Sequence, residues 1–188
     1  MSGDVEISVS VPCEAWLTHV PEAIALCRDA AAAALEAGGL EAVGRRRPVE
    51  VSVVLADDGL VRGLNRTYRG RNEATNVLSF ANRGGSSAVN GSASSSGRAR
   101  HMAAPDSAAP LLLGDVVVAF ETAAAEAGAA GQGLEAHLCL LVVHGVLHFL
   151  GYDHVDDAKA ARMERLEASI LGRLGLPDPC RRGRAASE

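Results

Sequence analysis

The 188-residue chain holds only four cysteines, one lysine and no uninterrupted apolar run of membrane-spanning length. Each shortage narrows the reading. The cysteines, Cys13, Cys27, Cys139 and Cys180, form no Cys-x-x-Cys pair. The first residues, "MSGDVEISVSV", show neither the basic nor the apolar region of a secretory signal, so reduced thiols in a cytoplasmic protein are expected. The longest apolar segment, Leu138 to Leu150, is broken by His144, Gly145 and His148. It falls short of the ~20 residues that cross a bilayer. Lys159 is the only lysine. That reflects a compositional bias and implies no function. What is present is 48% hydrophobic residues, enough for a single domain of this length to bury a core without disulfides.

Charge is uneven. Between Arg45 and Arg100 ten arginines face four acids, Glu50, Asp57, Asp58 and Glu73, a local balance of +6 within a chain at −5, which leaves −11 elsewhere. Such asymmetry fits either a polyanion-binding face or an ordinary solvated surface.

Apolar periodicity predicts strands at Val5–Val11, Val49–Leu55, Asn76–Ala81 and Leu111–Ala119. It predicts helices at Pro21–Ala37, from an Asp57 N-cap to Tyr68, at Glu121–Gly128 and at Leu134–Leu150. The last of these is apolar on nearly every face and should be the central buried helix. Asp156 caps a final helix with Met163, Leu166, Ile170, Leu171 and Leu174 on one face. Residues 83–110, rich in Gly, Ser and Ala, cannot bury enough surface to offset their ordering entropy and read as a disordered insert within a single domain spanning 1–188. Arg98 and Arg100 within it suit a basic tail feeding a site less well than neutral linker expansion.

The stretch "VVHGVLHFLGYDHVDD" carries the chemistry. His144 and His148 lie one turn apart on a helix face, so two imidazoles point to one place. Gly151 can turn the chain, and His154 can return as a third ligand. Three neutral imidazoles suit zinc and leave its fourth position open, as catalytic sites do. Asp153 and Asp156 are candidate acceptors for the histidine N–H groups, with a cap favoured for Asp156. His137 sits seven residues before His144, about 10 Å along the axis, too far to share the metal. It reads as a core or pocket-wall residue, while His19 and His101 lie in unrelated segments. The spacing is that of the metzincin peptidases, but their general-base Glu is replaced by Gly145. That argues against peptide hydrolysis. Phosphodiester hydrolysis remains open, because it asks for positive charge around phosphorus, from a metal and from arginine.

"HGVLHFLGYDHVDD" closely resembles the signature of the YbeY family of bacterial endoribonucleases and rRNA maturation factors. "LNRTYRGRNEATNVLSFAN" (64–82) resembles its central motif, "LLLGDVVVAFETAAAEA" its following strand and helix, and "MERLEASILGRLGLPDP" its C-terminal helix. The N-terminal third and the Ser-rich insert show no such likeness. The resemblance implies an α+β fold: a four-stranded mixed sheet with flanking helices and a central metal-bearing helix, zincin-like around the metal. It implies one Zn2+ per chain on His144, His148 and His154, and a functional arginine at Arg69, in a loop after a helix. It implies a single-strand-specific endoribonuclease in small-subunit (16S) rRNA maturation and ribosome quality control. Ribosomal protein uS11 and an Era-type GTPase are the partners it suggests. A ribosome assembly factor with a mainly structural metal is the alternative. A metallopeptidase-like hydrolase is disfavoured by Gly145.

Overall fold

The computed structural model describes residues 5–39, 48–82, 110–154 and 156–177. The expected insert lies outside these residues apart from Pro110, and Arg98, Arg100, His101 and Cys180 lie outside them with it. Four strands form one mixed sheet: β1 (Val5–Ser10), β2 (Val49–Ala56), β3 (Val77–Ala81) and β4 (Leu111–Ala119), in the order β1-β2-β4-β3. β1 and β4 run parallel to β2, and β3 runs antiparallel to β4. The expected four-stranded mixed sheet is therefore present, with β3 as one of its edges.

Helix α1 (Ala15–His19) was not expected from periodicity, being a single short turn. It exists because of its tertiary contacts. The indole of Trp16 is fully buried, donates from Nε1 to Ala56 O at 3.0 Å, and packs edge-on against Phe120. Helix α2 (Ala23–Ala37) buries small residues, Ala23, Cys27, Ala30, Ala31 and Ala34, which let it lie close to its neighbours. Helix α3 (Asp58–Arg69) starts as expected: Asp57 accepts from Leu60 N at 2.7 Å. The remaining helices are α4 (Phe120–Ala129), α5 (Leu134–Phe149) and α6 (Asp157–Arg173).

Strand alternation separates two cores. Leu113, Val116 and Val118 of β4 join the main core with α2, α5 and α6. Val117 and Ala119 face the other way and meet Val61 of α3 and Leu78 of β3. Helix α5 is enclosed by the sheet, α2, α4 and α6. Its Leu138, Val142, Val143, Val146 and Leu147 are fully buried. Each such side chain contributes roughly 1.5–3 kcal/mol, which outweighs the ~1 kcal/mol helix penalty of Gly145. Cys27 on α2 and Cys139 on α5 are buried thiols whose pKa burial pushes up to about 12, so both stay protonated and unreactive near neutrality. No single described helix is long and apolar enough to cross a membrane.

Candidate metal centre

The site forms where the last turn of α5 meets the loop before α6. Gly151 adopts φ +89, a left-handed conformation open to glycine without strain. The chain doubles back there, and Tyr152 N closes onto Leu147 O at 3.1 Å. The turn delivers His154 beside the two helix histidines. His154 stacks on His144 with ring centroids 5.0 Å apart and planes 16° from parallel. Ligand-capable atoms of His144, His148 and His154 all lie within 4.8 Å of one another.

The ring nitrogens are sorted by their outer partners. His144 Nδ1 meets Glu167 Oε1 at 2.8 Å, and His148 Nδ1 meets Tyr152 O at 2.9 Å. Both acceptors require Nδ1–H, which leaves each Nε2 lone pair free for a metal. Those two Nε2 atoms are 3.0 Å apart. Two ligands 2.0–2.1 Å from a tetrahedral zinc stand about 3.3 Å apart, so the residues fit the ion after a shift of a few tenths of an ångström. Burial, and then the neighbouring His144, hold the His148 pKa below its ordinary value of 6.5. A neutral imidazole at neutral pH is the form that ligates.

Glu167 was missed by sequence reading, and a signal was available. It falls at the core-facing spacing of α6, between Met163 and Ile170, where an acid is out of place. It is 7% exposed, and a carboxylate so buried needs a partner. The expected acceptors fare differently. Asp156 caps α6, accepting from Lys159 N at 2.8 Å. Asp153 lines the cleft and lies 3.5 Å from Lys159 Nζ. The partners of the two helix histidines are instead Glu167 and a main-chain carbonyl, because α6 and the Gly151 turn reach the rings from behind.

A cleft of about 470 Å³ opens over the histidines, lined by His144, His148, Tyr152, Asp153, Ser79 and Arg69 among others. Arg69 is the last residue of α3, so it belongs to the helix and not to the following loop. Gly70, left-handed at φ 68, ends the helix just after it. The start of α3 is clamped to the start of α4: Glu121 accepts from Asp58 N at 2.8 Å, and Asp58 accepts from Thr122 N at 3.1 Å. This reciprocal capping ties the start of α3, the helix that ends in Arg69, to the start of α4. On the cleft wall, Asn76 Nδ2 donates to Glu126 at 2.9 Å, and Glu126 meets His137 Nε2 at 2.9 Å. His137 thus is a buried core residue, as expected, and it braces the wall from behind.

Gly145 faces the sheet. A Cβ added there would lie 2.8 Å from Ser79 Oγ and 2.8 Å from Val116 Cγ1. The close neighbours are therefore strand side chains, neither backbone nor open cleft. A glutamate cannot fit at this position, so α5 supplies no general base of the peptidase kind. Val116 is β-branched and stiff, and overpacking costs about 1–3 kcal/mol against a propensity gain of up to about 1. Gly145→Ala should lower the melting temperature by about 2–6 °C, measured by scanning calorimetry. A more stable variant would contradict this packing.

The His148 shift has a consequence for the metal-free protein. Below pH 6.5 the unfolded chain takes up a proton at this residue that the fold resists. Stability supplied by the neutral ring is full above pH 6.5 and is lost as pH falls toward the depressed native value. The chelated protein should melt at a lower temperature at pH 5.5 than at pH 7.5, and His148→Ala should show a smaller difference between the two. An equal difference in both proteins would remove His148 from this linkage.

The fold and site together define an α+β protein with three histidines able to hold one metal in an open cleft, the arrangement of a metal-dependent hydrolase. Residues 21–175 match the family model described as Endoribonuclease YbeY. The chain belongs to that family. It is 49% identical over 179 residues to Endoribonuclease YbeY of Paramagnetospirillum magneticum, covering 95% of this chain and 98% of the relative. It is 42% identical to Endoribonuclease YbeY of Rhodospirillum rubrum over 166 residues, 87% of this chain and 76% of that one. A more distant likeness links it to the solution structure of TM1509 from Thermotoga maritima, with TM-score 0.46, 19% identity, and 90% and 91% of the two chains covered.

Proposed function

We propose that this protein is a zinc-dependent endoribonuclease that cleaves single-stranded RNA in the cytoplasm during small-subunit (16S) rRNA maturation and ribosome quality control. Association with the small subunit, through ribosomal protein uS11 and an Era-type GTPase, belongs to the same proposal. The observation that supports the cleavage chemistry best is the placement of Arg69 in one cleft with His144 and His148. A divalent ion held by the three imidazoles supplies Lewis acidity and positive charge.

The chain's own residues do the rest. Glu167 and the Tyr152 carbonyl hold the His144 and His148 rings in the ligating tautomer. Arg69 offers two parallel N–H donors to a phosphate, neutralising charge that grows in the transition state. The cleft wall at Ser79 and Asn76 limits where the strand can lie. The packing of Gly145 leaves no carboxylate where a peptidase needs one. The test is digestion of single-stranded RNA and of casein, each with and without chelator. RNA cleavage abolished by chelator, with casein untouched, supports the reading. Under the assembly-factor alternative a cleavage-dead variant should still support small-subunit assembly, whereas under the nuclease reading it should leave 16S rRNA precursor uncleaved, so complementation of depleted cells by an inactive variant separates the two.

A further inference from the structure

We propose that Tyr68 is a stacking platform for a nucleobase of single-stranded RNA, set beside the metal cleft across the β3 edge. This rests on the endoribonuclease reading and names how that site would grip its substrate. Tyr68 follows Val61 and Asn65 at i+7 and i+3, so helical spacing puts it on the side of α3 that packs on the sheet. Val61 and Asn65 are buried, yet Tyr68 is 68% exposed. An aromatic ring on the inward side of a helix ordinarily reaches the core. Here its described ring partner is Phe80 of β3, met edge to face at a centroid distance of 5.2 Å and an interplanar angle of 62°. That contact orients the ring and leaves much of it open to solvent.

The surroundings favour a base over other occupants. Arg66, Arg69 and Arg71 all lie within three residues of Tyr68. Among the described residues the one carboxylate paired with any of them is Glu73, 3.9 Å from Arg71, with both side chains exposed. Such a pair is weak, so the phosphates of a bound strand would meet largely uncompensated guanidinium groups. Arg69, the next residue, lines the metal cleft. On β3 the residues alternate: Ser79 and Ala81 line that cleft, while Phe80 between them supports Tyr68. Successive strand residues are about 3.3 Å apart, so a strand passing over the β3 edge could set a phosphate at Arg69 and a nearby base on Tyr68. A base face is free to stack on a side chain only where the nucleic acid is single-stranded. A protein partner fits less well. The exposed apolar surface here centres on one ring framed by arginines, far below the ~800 Å² per side of a stable interface.

The experiment is steady-state cleavage of a short single-stranded RNA by the metal-loaded protein, with an abasic nucleotide placed at each position in turn. Loss of one stacked base is worth roughly five- to a hundredfold in binding. Tyr68→Ala should raise KM by that factor while kcat stays within about twofold, and Tyr68→Phe and Tyr68→Trp should keep the parental KM. In the parent one abasic position should raise KM similarly, and in Tyr68→Ala that position should no longer matter. Tyr68 is exposed, so an unchanged melting temperature should accompany these effects. A parental KM in Tyr68→Ala overturns the proposal, as does a Tyr68→Phe as impaired as Tyr68→Ala, or an abasic penalty that persists undiminished without the ring. If the parent cleaves no RNA, the endoribonuclease reading fails first and this inference falls with it.

Discussion

His148→Ala should purify with metal content well below one ion per chain and should lose RNA cleavage by roughly three orders of magnitude. The rings converge: His144 and His148 present Nε2 atoms 3.0 Å apart, and His154 closes the group from the far side of the Gly151 turn. Removing the middle ring leaves two ligands that do not complete a tetrahedral site. Lewis acidity accounts for several kcal/mol of transition-state stabilisation, and each 1.36 kcal/mol is tenfold in rate. A companion variant grades the effect. Glu167→Ala keeps all three ligands but frees the His144 Nδ1–H, and loss of such an orienting partner commonly costs about 10–100-fold in metal affinity. Elemental mass spectrometry on freshly purified protein, followed by competition with a chelator, measures both. Parental stoichiometry in His148→Ala would end the assignment of the triad, and parental affinity in Glu167→Ala would reduce Glu167 to a packing role.

Arg69→Ala should reduce cleavage roughly 10- to 100-fold with metal content unchanged. An arginine–phosphate hydrogen bond in which both partners are charged contributes about 1.5–3 kcal/mol. Arg69 stands at the end of α3 with its side chain in the cleft and is exposed in the free protein, so the variant should fold normally. Arg69→Lys restores the charge but not the planar pair of donors and should recover only part of the rate. Overall RNA binding should weaken little, because phosphate contacts are spread over several arginines and respond to salt. The comparison is made at one ionic strength, with metal content confirmed for each protein. Equal rates in parent, Arg69→Ala and Arg69→Lys would exclude the arginine from the mechanism.

The local elements of this protein were legible in the order of its residues. Alternation of apolar and polar residues marked β1, and the apolar run Leu111–Ala119 marked β4 with its expected bounds matched to the residue. Asp57 and Asp156 announced the starts of α3 and α6, because a side-chain oxygen three residues ahead of a free N–H caps a helix wherever the rest of the chain lies. The histidine triad was legible for the same kind of reason. Two rings at i and i+4 share a face, and a glycine that can take positive φ returns the third within ten residues.

Other features depended on partners far along the chain. The α1 turn exists because Trp16 finds Ala56 O and Phe120, 40 and 104 positions away. Glu167 reaches His144 across 23 residues, and only the packing of α6 on α5 makes it the acceptor in place of Asp153 or Asp156. Gly145 looked like a missing catalytic group in sequence. In three dimensions it is the point where α5 meets Ser79 and Val116 of the sheet. The sequence by itself determined the strands, the longer helices, the histidine triad and the family motif, since these rest on short-range geometry and the chemistry of single residues. Only the tertiary structure decided what stands behind His144 and His148, why no glutamate fits at 145, and how Arg69 and Tyr68 flank the β3 edge. Those depend on which surfaces meet when the core is buried, and hydrophobic burial has no direction of its own to be read from spacing.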